Sequence, residues 1–418
     1  MVDVGLDIWV VSSVLALVAS SPSLAPQEKT YKFGRGFLGL DKCNACVGTS
    51  ICKKFSKEEI RFERWLSSQL HLPSAKRTTY EGNYTDASQI ERPVMLSWLM
   101  SPHLHQVSDW SICRSAGRER TCSIEAVLRA TPRFQTWARS NLLLPSMVQG
   151  LATPMLRCPS QRLLDRIVRR YFEVTDVGSM QMKHFTYKDK LRLLYTMAVN
   201  QHPLMLQMFP GMEGWPFPRY HGSCGRVVVW AGGRALRNLY SSPLERRVDA
   251  AYQLLRITQS LASNSLHFNL YYTSVSEDMF GTLDDGRVFI TDASTIGIID
   301  LQDGFYPDQG LEHQSVDIFS CLSGSCERPP PCEHVQPSQS FLLLCRNILT
   351  KLLAPNDVRS AHLPGEAMRQ LTVCANQSQS DQRILTAAQS LTELLKPMRP
   401  CSRQYEYRYP ECLYIHNF

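Results

Sequence analysis

The chain has 418 residues, of which 44% are hydrophobic, and its formal net charge is +7. This is enough apolar material for a large core, and the length allows a two-lobed domain with insertions. Lysine and arginine are scattered, with no run longer than a pair such as Arg246-Arg247. We therefore expect neither a nucleic-acid-binding arm nor a polybasic membrane patch.

The first 25 residues differ in composition from the rest of the chain. Residues 8–19 are an apolar run, and the small residues Ser23 and Ala25 precede Pro26 as a cleavage site would. No lysine or arginine precedes the run, which is unusual for a secretory signal. A membrane anchor is the alternative, but the run is shorter than the ~18 to 20 apolar residues of a spanning helix. We interpret residues 1–25 as a signal peptide and expect no stable membrane span.

Cysteine usage indicates an oxidising compartment. There are 14 cysteines, an even number, at irregular spacings that are typical of disulfides. A zinc site or a redox pair is the alternative for Cys43, Cys46 and Cys52, but no second matching pair with nearby histidines follows. Sequons at Asn83 and Asn376 agree with luminal exposure, although such tripeptides also occur by chance. We expect a disulfide-bonded glycoprotein.

The region before the middle of the chain is predicted to contain an insertion, two helices and a strand. Residues 66–135 are polar and turn-rich, which indicates an insertion. Amphipathic helices are predicted over residues 160–171 and 187–200, and a strand over residues 204–209. His202 lies at the end of the second helix, and no partner for a metal role is in view.

The middle of the chain begins with a buried strand. Residues 225–230 are a candidate for a buried strand, because Arg226 is followed by four apolar residues, and Gly232 and Gly233 end it before a short helix over residues 234–240. A long amphipathic helix then begins near Ser242, where the spacing to Glu245 is that of a capping box and proline follows at the first helical position.

Residues 280–290 predict a tight β-hairpin, because apolar residues alternate on both sides of an Asp-Asp-Gly turn. Asp292 lies where the second strand ends, ahead of a strand-like run over residues 296–299. A carboxylate at a strand exit is a common magnesium ligand, whereas a surface aspartate capping a turn is the ordinary alternative. Strand, glycine hinge, short helix, long helix, hairpin and aspartate follow one another in the middle of a protein kinase.

Four longer stretches carry a family signature: FGRGFLGLDKCNACVGTSICKKFSKEEIRFERW at 33–65, LRCPSQRLLDRIVRRY at 156–171, FPGMEGWP at 209–216 and YRYPEC at 407–412. They resemble the divergent protein kinase domain 2 proteins, also called the deleted-in-autism family, and the resemblance is closest to its B member. It covers nearly everything after about residue 30 of the chain.

The resemblance implies an α+β, two-lobed protein-kinase-like fold with cysteine-rich insertions, stabilised by disulfides, in a secretory-pathway protein. Residues 26–230 would form an N-lobe-like region that contains the insertion. Residues 231–418 would form a C-lobe-like helical region with a cysteine-rich C-terminal part. No Ala-Pro-Glu segment follows residue 300, where a proline- and cysteine-rich stretch stands instead.

The resemblance also implies a nucleotide site near the amino end. Glycine spacing over residues 33–39 lets backbone amides approach phosphates, although glycines in turns are the ordinary explanation. Residues 51–55 are predicted to form the strand whose lysine, Lys54 in preference to Lys53, pairs the phosphates and is held by a following glutamate. A solvated ion pair is the alternative. The candidate cofactor-binding residues are Gly34, Gly36, Lys54, Glu58 and Glu59.

The predicted catalytic loop departs from the kinase pattern. With Asp292 as the metal-binding aspartate, the base of kinases corresponds to Ser274 and the second metal ligand, an asparagine, to Met279. Serine without a neighbouring base is a poor proton acceptor at neutral pH, and a thioether is a weak ligand for magnesium. We therefore expect inefficient phosphoryl transfer.

An alignment that starts from His267 places Asn269 at the base position, and an amide cannot accept the proton either. Glu277 and Asp278 lie in the same loop and are the candidates to replace one lost carboxylate. The alternative for both is solvated loop charge.

Three hypotheses of function follow. The first is a secreted pseudokinase that passes through the endoplasmic reticulum and Golgi and binds a protein partner, for which a cell-surface receptor is one candidate. The second is an atypical luminal kinase that uses ATP with Mg or Mn through Asp292, Lys54 and Glu277 or Asp278. The third is a trafficking component retained in the Golgi, with the kinase fold as a scaffold. Since a fold hosts many functions, the fold alone does not decide among them.

Overall fold

The computed structural model describes residues 35–62, 79–119, 122–175, 185–302, 317–323, 335–354 and 363–400. All of them belong to a compact unit that spans residues 33–418. The predicted signal peptide, the candidate Gly34 and the motif at residues 407–412 lie outside the described residues.

A five-stranded antiparallel sheet is built from two distant parts of the chain. Its strands are β1 Ile60–Phe62, β2 Thr79–Thr85, β3 Glu91–Trp98, β4 Tyr220–Cys224 and β5 Val227–Ala231. Their order across the sheet is β1-β2-β3-β5-β4. Residues 79–98 of the predicted insertion thus contribute the strands β2 and β3 to this sheet. Val94 and Leu96 are buried at a period of two, as strand residues are.

The two faces of this sheet pack against different cores. Val227 and Val229 of β5 belong to a small cluster with Ile51 and Phe55, whereas Trp230 belongs to the large core formed with the helices. Alternation along a strand sends neighbouring side chains to opposite faces. Residues on the side of Ile51 and Phe55 are therefore separated by the sheet from residues around Trp230.

The predicted strand over residues 51–55 is wrong, because these residues enter helix α1, Cys52–Ser56. The Phe55 N–H donates to the carbonyl of Ile51, one helical turn earlier. A strand would turn Lys53 to the same side as Ile51 and Phe55, because i, i+2 and i+4 share a face of a strand. The helix buries both apolar side chains in the small cluster and leaves Lys53 exposed.

Helices connect β3 to β4. They are α2 Pro102–Ser115, α3 Ile124–Arg129, α4 Pro132–Arg139, α5 Pro145–Val148, α6 Gln161–Thr175, α7 Tyr187–Val199 and α8 His202–Met208. The helices predicted over residues 160–171 and 187–200 are confirmed. The strand predicted over 204–209 is wrong, since these residues lie in α8, where every side chain is buried. An apolar run that is buried on all sides has no periodicity by which a strand can be told from a helix.

The chain after β5 follows the predicted order closely. The elements are β6 Arg234–Ala235, a 3-10 turn Leu236–Leu239, α9 Leu244–Ala262, β7 Phe268–Tyr272, β8 Phe280–Thr282, β9 Val288–Ile290 and β10 Ile296–Asp300. The predicted hairpin is confirmed by the antiparallel pairing of β8 with β9, and Gly286 takes the left-handed conformation that its turn requires (φ 80°). The capping box is wrong, because Pro243 precedes α9 without a side-chain cap.

The C-terminal helices are α10 Gln339–Leu344, a π-helical turn Cys345–Leu349, α11 Thr350–Leu353, α12 Gly365–Cys374 and α13 Asp381–Leu395. Helices α11 and α13 pack against α9. No helix in the described part of the chain is long and apolar enough to cross a membrane.

Disulfides tie these layers together, as the cysteine content predicts. Four pairs are Cys43–Cys46, Cys52–Cys224, Cys113–Cys122 and Cys345–Cys374. Among the described cysteines none is free. The zinc alternative for the first cysteines is excluded, because the structure bonds Cys43 to Cys46 and Cys52 to the end of β4.

An ion pair holds β10 to helix α6. The buried Asp300 carboxylate accepts hydrogen bonds from Ser160 Oγ and Arg162 Nε, each at 2.8 Å, and also from Arg162 Nη2. The guanidinium lies over the ring of Phe268, 4.0 Å from its centroid. Burial raises the pKa of Asp300, but the hydrogen bonds outweigh burial, so that the net shift lowers this pKa.

We expect Asp300→Asn to lower the free energy of unfolding by about 1–3 kcal/mol at neutral pH, because a charge-assisted pair is lost. The lowered pKa of the folded state means that the wild-type contribution is complete above the ordinary aspartate pKa of ~3.9 and is lost as the pH falls through the folded-state value. Urea unfolding between pH 7 and pH 3 should therefore show a steeper acid loss in the wild type than in the variant. Equal acid slopes would contradict the assignment; Asp284→Asn, an exposed hairpin residue, is the control.

Candidate functional site

The loop between β7 and β8 corresponds to the catalytic loop of kinases. Pairing of β7 with β10 places the loop beside the end of the hairpin, since Tyr272 lies opposite Ile296. Ser274 and Asp278 are exposed in this loop, while Met279 is 3% exposed. Helix α10 supports the loop start, because Ser340 Oγ accepts from the Tyr272 N–H at 3.0 Å.

Met279 lies directly beside Asp292. Its carbonyl accepts from the N–H groups of Thr291, at 2.9 Å, and Asp292, at 3.4 Å. Its thioether faces Thr295, whose hydroxyl lies 3.8 Å from Sδ. The position that would supply the second metal ligand is thus a buried thioether packed into the fold.

Asp292 itself is accessible. Its side chain is 54% exposed, and Oδ1 accepts from the Ser294 N–H at 2.9 Å. Two residues at the start of α8 hold Ala293, the residue after Asp292. His202 Nδ1 accepts from the Ala293 N–H at 3.1 Å, and Gln201 Nε2 donates to the Ala293 carbonyl at 2.8 Å. The aspartate therefore stands on a firmly held loop.

The sequence reasoning missed Gln201 and His202 as the residues that hold this loop. His202 is buried with its ring edge-to-face against Trp230, at 4.7 Å between centroids, and its Nε2 has no hydrogen-bond partner in the described structure. Burial lowers the pKa of His202 and the nearby Asp292 carboxylate opposes this, with a net lowering. Two adjacent polar residues at the start of a mainly apolar stretch were the available signal, because buried polar groups need partners.

Glu277 and Asp278 lie in the same loop as predicted. Glu277 is paired with Lys351 of α11, at 2.6 Å between Oε1 and Nζ. The exposed Asp278 accepts through its carbonyl from Thr291 Oγ1 at 3.1 Å. Burial raises the pKa of Tyr240, and the charges of Glu277 and Asp278 raise it further. The structure thus brings both carboxylate residues to the neighbourhood of Asp292.

The predicted cofactor-binding residues lie elsewhere. Lys54 is in α1, on the sheet face of Val229, whereas Asp292 lies near Trp230 on the opposite face. Lys54 Nζ donates to the Tyr84 hydroxyl at 2.7 Å. Lys54 and Asp292 are therefore not brought together.

The glutamates expected to hold Lys54 do not pair with it. Glu58 has a left-handed backbone (φ 59°), and Glu59 lies at 4.0 Å from Lys57. Gly36 is exposed in a turn on the amino side of α1. Neither the glutamates nor this glycine joins the Asp292 loop.

The central strand of the described sheet, β3, reads ERPVMLSW and carries no lysine. Kinases supply the phosphate-pairing lysine from the third strand of the corresponding lobe. Val94 and Leu96 belong to the small cluster, so Met95 and Ser97 occupy the face toward the large core and the Asp292 loop.

The antiparallel sheet, the glycine connection to a helical region and the aspartate after a hairpin define a protein-kinase-like domain. Residues 194–377 match a profile described as the protein-kinase domain of FAM69. The chain is similar to Divergent protein kinase domain 2B of Homo sapiens, with 49% identity over 98% of this chain and 95% of that protein. The Mus musculus 2B protein is 48% identical over the same shares.

Divergent protein kinase domain 2A of Homo sapiens is more distant, with 36% identity over 81% of each chain. The chain belongs to the divergent protein kinase domain 2 family. The resemblance inferred from the four sequence stretches is confirmed, as is the α+β kinase-like fold with disulfides.

Proposed function

We propose that this chain is a secreted or luminal pseudokinase that acts by binding a protein partner and does not transfer phosphate efficiently. The observation that carries the proposal is Met279, a buried thioether at the position of a metal ligand. Magnesium and manganese prefer oxygen ligands.

Two further replacements support the proposal. Ser274, at the position of the catalytic base, is exposed, and a serine hydroxyl without a neighbouring base is a poor proton acceptor at neutral pH. The β3 positions that face the Asp292 loop are Met95 and Ser97, which carry no charge for the phosphates. The residues present therefore fit an ATP–metal complex poorly.

Passage through the secretory pathway is supported by the cysteines and one sequon. The described disulfides need an oxidising compartment to form and persist. Asn376 is exposed just after α12, where a glycan has access to it. We therefore propose a protein partner that is reached in or beyond the secretory pathway, and a cell-surface receptor is one candidate.

A second candidate is an atypical kinase that binds ATP with Mg or Mn. It is favoured by the 54% exposure of Asp292 and by the exposed Asp278 in the adjoining loop. Two accessible carboxylates can hold a divalent cation without Met279. This candidate requires nucleotide and metal to bind together.

A thermal shift of the disulfide-bonded protein with ATP and Mg²⁺ or Mn²⁺ separates the two candidates. Binding at a hundredfold excess over the dissociation constant would stabilise the folded state by about 2.7 kcal/mol. We expect no metal-dependent rise in melting temperature, in the wild type or in Asp292→Ala. A rise that is lost in Asp292→Ala but kept in Asp284→Ala, an exposed carboxylate of the same hairpin, would overturn the proposal if labelled γ-phosphate is also transferred.

A further inference from the structure

Four basic residues converge on the sheet face that lies away from Asp292. Arg92 of β3 lies directly opposite Tyr84 of β2. Arg219 precedes β4, and His221 lies at the irregularity of β4 between Tyr220 and Gly222. Helix α1 adds Lys54. We call Lys54, Arg92, Arg219 and His221 the basic cluster.

Tyr84 is the platform on which this cluster is assembled. Lys54 Nζ donates to its hydroxyl at 2.7 Å and lies 4.3 Å from its ring centroid. The imidazole of His221 packs against the same ring, with 5.5 Å between centroids. Because the Tyr84 oxygen accepts from Lys54, its own hydrogen remains available to donate.

The positive charge of the cluster is largely uncompensated. Within the described residues, neither Lys54 nor Arg219 has a carboxylate within ion-pair distance, and Arg92 has only Asp86, at 3.3 Å. The Asp86 carboxylate is committed to its own turn, since it also accepts from the N–H groups of Ser88 and Ile90.

The pKa of His221 reflects this excess of positive charge. Burial, followed by the positive charges of Arg219, Lys54 and Arg92, lowers the pKa of His221 to about 4, with no acidic residue opposing them. The half-buried imidazole is therefore neutral at physiological pH and can present an N–H donor. Solvated surface cations are common, but here Lys54 and the half-buried His221 both contact the ring of Tyr84.

We propose that the basic cluster binds a sulfate or phosphate ester group. A tetrahedral ester offers three oxygens to several donors, and charge-assisted hydrogen bonds from lysine and arginine are the strongest that a protein supplies to such anions. The Tyr84 hydroxyl and the His221 imidazole add neutral donors at the same place. This site is independent of the proposed function, because it lies across the sheet from Asp292.

The test is calorimetric titration of the full disulfide-bonded chain with glucosamine 6-sulfate and with glucosamine 6-phosphate. Unesterified glucosamine at the same ionic strength is the blank. We expect at least one ester to bind, and Lys54→Gln and Arg219→Gln each to weaken binding about tenfold, because each loses a charge-assisted hydrogen bond. Arg237→Gln, an exposed arginine in the 3-10 turn after β6, makes the same change of net charge and should bind as the wild type does.

Comparison of the two affinities shows whether the site prefers a sulfate ester or a phosphate ester. If neither ester binds, the proposal is overturned. It is also overturned if Arg237→Gln weakens ester binding as much as Lys54→Gln and Arg219→Gln do, because the net charge of the protein would then explain the binding. Melting temperatures establish that each variant is folded. If Lys54→Gln disturbs Tyr84 and unfolds, Arg219→Gln decides the question, because Arg219 is exposed.

Discussion

Asp109→Ala is expected to lower the free energy of unfolding by about 3–5 kcal/mol, the cost of leaving a buried charge without its partner. Arg226, in the turn between β4 and β5, is 3% exposed. Its two terminal nitrogens donate to the two Asp109 oxygens at 2.8 and 2.6 Å, and its Nε donates to the carbonyl of Ala45 at 3.1 Å. Urea unfolding followed by circular dichroism measures the loss.

A variant that removes both charges separates the cost of the unpaired arginine from the cost of lost packing. Asp109→Leu combined with Arg226→Met should recover much of the loss, because replacing a buried pair by apolar residues is often neutral. Asp284→Ala breaks a pair with Arg234 in which both side chains are more than two-thirds exposed, so its unfolding midpoint should stay close to that of the wild type. A double variant as unstable as Asp109→Ala would show that packing, and not the unpaired charge, is responsible.

The chain from α9 to β10 was predictable because its signals are local. The hairpin around Gly286 follows from turn chemistry and alternation, and α9 follows from helical spacing over many residues. The position of Asp292 after the hairpin follows from the same short stretch. Residues within about thirty positions of one another fixed both the element types and the carboxylates of the loop.

The earlier part was not predictable in the same way. The sheet joins β3 to β5, whose strands are separated by the whole helical region, so no local pattern reveals that pairing. Lys54 satisfied a local kinase pattern, yet its helix is fixed by a disulfide to the distant Cys224. Arg226 and Asp109, which are 117 positions apart, pair only in the folded chain.

Replacing both Cys52 and Cys224 by alanine is expected to lower the free energy of unfolding by about 2–5 kcal/mol. This bond joins residues 172 positions apart, so its absence frees a large loop in the unfolded chain. Cys224 is fully buried in the small cluster, where the bond fixes α1 against β4. Urea unfolding of the double variant, which keeps an even number of cysteines, measures the effect.

The matched control is the double variant Cys43→Ala and Cys46→Ala. This pair spans only three positions, so the chain-entropy account gives it a much smaller contribution to stability. If the control loses as much stability as Cys52→Ala with Cys224→Ala, then loop closure does not explain how α1 is held. If only Cys52→Ala with Cys224→Ala loses stability, the position of α1 and its Lys54 depends on this disulfide. Ester binding at the basic cluster should then be weaker in that double variant than in the wild type.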